Sequence, residues 1–197
     1  ISTDINNAST KTGNNIKLVL VSKSQKKESI EQVYKLGYRN FGENYLQEAK
    51  EKIESLSKYD IEWHYIGRIQ SNKIKEIVNL FDWIQTASSE KHIHLIDKFS
   101  RECNKIMNVC IQINIDNEES KSGINLDQLD DFIRFSNNCS NIKTRGIMAI
   151  PSKTNADDKK EQSYEVLSKK FIELQEKYSN FDTLSLGMSN DYKLALA

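Results

Sequence analysis

The sequence predicts an α/β chain of the (β/α)8 barrel class, and three observations predict it. Short apolar runs alternate with amphipathic helical stretches seven times along the chain. The repeating units are close to equal in length, as βαβ units on a parallel sheet are. The first strand-to-helix turn lacks the run of glycines that opens many doubly wound sheets, so the even beat favours the barrel over that alternative.

The elements follow in order. Residues 17–22 (KLVLVS) form an apolar first strand, expected to be buried on both faces. Residues 26–36 carry Ile30, Val33, Tyr34 and Leu36 at helical spacing, and Gly37 is a natural terminator. Arg39 to Phe41 form a short second strand, followed by Gly42-Glu43-Asn44 and a helix to about Leu56. Glu62 to Ile66 form the third strand and Ser71 to Leu80 its helix. Asp82 to Gln85 and then Glu90 to Cys103 make the fourth unit. Val109 to Ile115 (VCIQINI) lead to a helix over Leu126 to Phe135, and Thr144 to Ile150 to a long amphipathic helix over Lys159 to Tyr178. Thr183 to Leu186 form the seventh strand, and Asp191 opens a last helix. Seven such units suggest a barrel lacking its last strand. The polar loops 116–123 and 151–158 are the longest and are expected at the mobile edges.

The chain of 197 residues is long enough for one domain, 1–197, with a sizeable core. Lys and Arg number 28, as do Asp and Glu, so there is no net charge to hold a nucleic acid or a membrane surface by bulk electrostatics. No apolar run approaches bilayer length and no signal-peptide pattern opens the chain. Cys103, Cys110 and Cys139 are an odd count without a CxxC pair, which reads as free thiols in a reducing compartment.

In a barrel the segments after each strand share one rim, where active sites are built. Those segments are Ser22-Lys23, Gly42-Glu43-Asn44, residues 67–73, residues 116–123, Met148 to Ser152, and Gly187-Met188-Ser189-Asn190-Asp191. Lys23 has two readings. Strands end at surfaces, where lysine is common. An amine at that rim can also join an aldehyde as a Schiff base, which calls for a low-dielectric rim with few carboxylates. The 187–191 segment offers backbone N–H groups and the Ser189 hydroxyl to an anion, or Ser189 and Asn190 simply cap the helix.

The motifs VSK, FGENYLQEAKEKI, WHYIGRIQSNK, QINIDNEESKSGI, RGIMAIP and TLSLGMSND occur in this order between residues 16 and 195. Together they closely resemble the YggS/PROSC family of pyridoxal phosphate homeostasis proteins. The resemblance implies a single barrel of the alanine racemase N-terminal domain type. It also implies pyridoxal 5′-phosphate (PLP) held as a Schiff base on Lys23. Met188 and Ser189 match the family's phosphate loop, and Asn44 and Met148 would lie on the rim near the ring. It implies a cytosolic, monomeric carrier with no assigned catalytic residue and no metal, which passes PLP to PLP-dependent apoenzymes. One alternative is a PLP-dependent racemase, which needs an acid/base group on each face of the cofactor and, for the second, an additional domain. Another is an inactive, truncated remnant. Against the family pattern, a leading helix is shortened to ISTDINNAST and a final strand resembling VRIGTAIFG is not found. That strand would close the barrel and supply the arginine facing the pyridine nitrogen. The chain as it stands is therefore expected to be less stable, and to hold the cofactor less tightly, than one extended by that strand.

Other features carry ordinary readings. His92 and His94 fall in a helix, where positions i and i+2 do not share a face, so they are not expected to bind a metal. His64, inward on the third strand, is expected to be a hydrogen-bonded core histidine. Arg68 and Lys73 are solvated surface by default, with a rim phosphate as the other reading. No Walker, HExxH, GxSxG or GxGxxG motif is present.

Overall fold

The computed structural model describes residues 1–116, 122–152 and 156–197. Parts of the two long polar loops, 117–121 and 153–155, lie outside the described residues. Among the described residues seven strands form one sheet in the order of the chain, every pair parallel. They are β1 Leu20–Val21, β2 Asn40–Glu43, β3 Glu62–Tyr65, β4 Trp83–Ala87, β5 Met107–Ile113, β6 Ile142–Ala149 and β7 Thr183–Ser185. Strictly sequential order excludes a doubly wound sheet, whose order reverses at a switch point.

The helices are α1 Ser2–Thr12, α2 Lys27–Lys35, α3 Leu46–Ser55, α4 Ile74–Leu80, α5 Glu90–Glu102, α6 Leu129–Asn137, α7 Asp157–Lys177 and α8 Tyr192–Leu196. Several boundaries differ from the sequence reading. The helix expected from Ser71 begins as a 3-10 turn over Ser71–Lys73. The fifth and sixth strands each start two residues earlier than expected. The first strand shrinks to two residues and is not buried on both faces: Val21 is 49% exposed. It pairs with β2 on one side, and its inner face is open to solvent.

The sheet is curled. In a flat sheet β4 and β7 would stand about 14 Å apart, three strand spacings. Yet the Ser185 hydroxyl of β7 donates to Gln85 Oε1 of β4 at 2.7 Å. The inner faces of these strands therefore meet across the concavity. The large apolar core lies on the convex side, where Phe41, Trp63, Ile84, Ile111 and Ile147 of the sheet pack against Ile30, Ile77, Ile93, Ile133 and Leu167 of the helices. Trp83, Cys110 and Met148 form a separate small cluster on the concave side. At its open edge α1 meets α8, with the Tyr192 hydroxyl donating to Asp4 at 2.9 Å.

Candidate functional site

All seven strands run the same way, so their carboxyl ends share one rim. Ser22 N–H donates to Gly42 O at 2.9 Å and extends the β1–β2 ladder by one residue. Leu20 packs against the convex core, and Ser22 is buried on that same side. Alternation then sets Val21 and Lys23 on the concave face. Lys23 itself is exposed rather than enclosed by a low-dielectric rim. It sits in a turn closed by Gln25 N–H to Ser22 O at 3.0 Å, next to Ser24 with φ 60°.

Asn44 follows β2 on this rim. Its side-chain Oδ1 is buried without a hydrogen-bond partner among the described residues. Its backbone is pressed by Gly67 from the loop after β3: a methyl group there would lie 2.2 Å from the Asn44 carbonyl oxygen. Glycine at 67 is what lets these two loops touch. Met148 is buried in the concave-face cluster with Trp83 and Cys110. Burial pushes the Cys110 thiol up to about 12, so it packs and does not react.

The turn after β7 is held by its own aspartate. Asp191 is buried, and its carboxylate accepts the Met188 N–H at 2.6 Å. The N–H groups of Asp191 and Tyr192 donate to Met188 O. Asp191, rather than Ser189 or Asn190, is thus the residue preceding α8, and its side chain serves the turn rather than the helix. The Ser189 and Asn190 N–H groups have no acceptor among the described residues, and both side chains are exposed.

Two side-chain networks around the site are not legible from motif reading. The first crosses the concavity floor. His64 is 4% exposed; its Nε2 bonds Asn40 Oδ1 at 3.0 Å and its Nδ1 bonds Gln85 Nε2 at 2.9 Å, while Gln85 Oε1 accepts from Ser185. An amide oxygen on one ring nitrogen and an amide N–H on the other fix a neutral ring with its proton on Nε2. Burial pushes the His64 pKa down from 6.5 to about 4. The unfolded ring takes a proton near 6.5 and the folded ring only near 4, so His64's contribution is whole above that window and is lost as pH falls through it. At pH 5 the loss is about 2 kcal/mol. Urea midpoints at pH 7 and pH 5 should fall less for His64→Gln than for the parent chain; equal falls would refute the assignment.

The second network lies behind Lys23. Lys52 of α3 is 6% exposed, and its Nζ donates to Ser22 O at 2.6 Å, Glu43 Oε1 at 2.7 Å and Glu48 Oε1 at 2.6 Å. Ser22 Oγ donates to Glu43 Oε1 at 2.7 Å, and Ser24 N–H donates to Glu48 Oε1 at 2.6 Å. The Lys52 ammonium, and after it the Ser24 N–H, holds the Glu48 carboxyl below its usual range. The one available sequence signal was the Glu48–Lys52 spacing of four on a helix, ordinarily a surface pair.

The remaining expected features are placed simply. His92 and His94 lie in α5, and among the described residues no group of three or more His, Cys, Asp or Glu could hold a metal. No helix of the described residues is long and apolar enough to cross a membrane. A cavity of about 350 Å³ lies at the opposite end of the sheet, lined by Ile142, Lys143, Thr144, Tyr178 and Phe181, and contains none of the rim residues.

The alanine racemase N-terminal domain model matches residues 1–196. The pyridoxal phosphate homeostasis protein of Buchnera aphidicola subsp. Acyrthosiphon pisum is 43% identical over 92% of this chain and 90% of that protein. The protein of the same name from Escherichia coli K12 is 38% identical over 92% of this chain and 79% of that one. Among solved structures, PipY of Synechococcus elongatus with PLP bound superposes with a TM-score of 0.85 at 26% identity, covering 99% of this chain and 92% of PipY. A Clostridium difficile alanine racemase superposes with a TM-score of 0.72 at 14% identity over 96% of this chain and 50% of the enzyme, a likeness of fold alone.

Proposed function

The chain belongs to the alanine racemase N-terminal domain family, among the pyridoxal phosphate homeostasis proteins, and from that membership we propose that it holds PLP on Lys23 as an intracellular carrier. The observation that carries this reading is the match, over nearly the whole chain, to a PLP-bound neighbour and to homeostasis proteins, with Lys23 at the carboxyl end of β1 on the concave face. The bound group supplies an aldehyde that condenses with an amine, on an electron-withdrawing ring. Lys23 supplies the amine. The Ser189 and Asn190 N–H groups and the Ser189 hydroxyl offer donors to the phosphate, with Met188 anchoring the turn. Asn44 Oδ1, a buried acceptor lacking a donor among the described residues, fits a polar hydrogen on the ligand, since an unpaired buried oxygen is costly. Met148 supplies apolar surface below the rim.

On this reading the curled sheet is the wall of a barrel of the alanine racemase N-terminal type, and the chain works in the cytoplasm as a monomer. Its partners are PLP and the PLP-dependent apoenzymes that receive it. An exposed Lys23 suits a group that must be taken up and given back. Incubating the PLP-loaded chain with a PLP-dependent apoenzyme should restore that enzyme's activity, and incubation with L-alanine should yield no D-alanine. Formation of the D isomer would replace the carrier reading with a racemase.

A further inference from the structure

We propose that Glu48 and Lys52 of α3, with Glu43 of β2, form a clamp that fixes the turn carrying Lys23 and act as positioning residues for its amine. The inference rests on the carrier reading above. The turn is gripped on both flanks of Lys23. On one flank, Ser22 is held through its carbonyl by Lys52 at 2.6 Å and through its hydroxyl by Glu43 at 2.7 Å. On the other, Ser24 is held through its N–H by Glu48 at 2.6 Å. Ser24 has φ 60°, a left-handed conformation that a non-glycine residue keeps only where its surroundings over-determine it. The Glu48 bond is positioned to do that.

Lys52 has three N–H donors, and all three are engaged, so it is a structural cation and not a second nucleophile. Glu48 and Lys52 are four apart on one helix face, which brings both against the same turn. A buried ammonium with two carboxylates is an expensive way to stabilise a fold compared with apolar packing. Its placement directly behind the rim lysine makes sense if its work is geometric. The clamp lies on the convex side, and alternation leaves Lys23 directed to the concave side, its Cα set by the bonds to Ser22 and Ser24.

Glu48→Ala is the informative variant, because it releases Ser24 and leaves Glu43 and Lys52 as a charge-balanced pair. Its thermal midpoint should fall by only about 2–8 °C, because the buried Lys52 ammonium loses the partly exposed Glu48 but keeps Glu43 and the Ser22 carbonyl. Amide exchange at Ser24, followed by NMR, should speed up about tenfold or more. The rate at which PLP is trapped on Lys23 by borohydride should fall about tenfold, while trapping on surface lysines is unchanged. Glu48→Gln, which keeps an oxygen for the Ser24 N–H, should recover most of both. Unchanged trapping at Lys23 in Glu48→Ala overturns the positioning role, whatever the exchange rate. If the parent chain takes no PLP at Lys23, the carrier reading fails instead, and the clamp then stands or falls on Ser24 exchange alone.

Discussion

Lys23→Ala is expected to lower affinity for PLP by about 100-fold or more, equivalent to about 2.7 kcal/mol, because the covalent attachment is lost and only phosphate and ring contacts remain. Lys23 is exposed, so its removal should cost the fold little: surface substitutions of this kind lie within about 0.5 kcal/mol, or about 2 °C for a chain of this size. The pair of measurements is equilibrium dialysis and a thermal melt on the same preparation. A loss of affinity with an unchanged melt locates the effect in the site. Equal affinities would remove Lys23 from the site.

Gly146→Ala is expected to have the largest effect on stability. Gly146 lies opposite Thr183 in the β6–β7 pairing, and a methyl group there would fall 1.6 Å from the Thr183 carbonyl oxygen. Neither backbone can yield without breaking the ladder. β7 is three residues long, so loss of that register removes Leu184 and Ser185 from their partners as well. The bond from Ser185 to Gln85 that ties the two sides of the concavity goes with it. The cost should be about 3 kcal/mol or more, a fall of about 6–12 °C in Tm. Because β7 leads into the 187–191 turn, PLP affinity should fall too, which separates this variant from Lys23→Ala by its melt. A melt unchanged from the parent would show that β7 contributes little to the fold.

Much of this architecture was legible in the sequence because parallel strands buried against helices leave continuous apolar runs, and VCIQINI and RGIMAI are such runs. The seven-fold alternation and the sequential order follow from short connections between neighbouring elements. The first strand was over-read. Residues 17–19 have the composition of a buried strand but make no ladder pairs, and Lys17 instead forms an ion pair with Glu62 at 3.8 Å. The placement of Lys23, Asn44 and the 187–191 turn at strand ends followed from the same topology. Lys52 could not be found that way. In AKEKIES it looks like any solvated helix lysine, and only the packing of α3 against the Ser22 turn buries it. The Asn40–His64–Gln85–Ser185 chain was equally hidden, because its ends are 145 residues apart in sequence and only the curl of the sheet joins them.

The most direct measurement is peptide mapping after the chain is mixed with substoichiometric PLP, reduced with borohydride and digested. A single modified peptide spanning the β1–α2 turn, with the label on Lys23, is the predicted result. Label scattered over surface lysines, or concentrated on any lysine other than Lys23, would contradict the account.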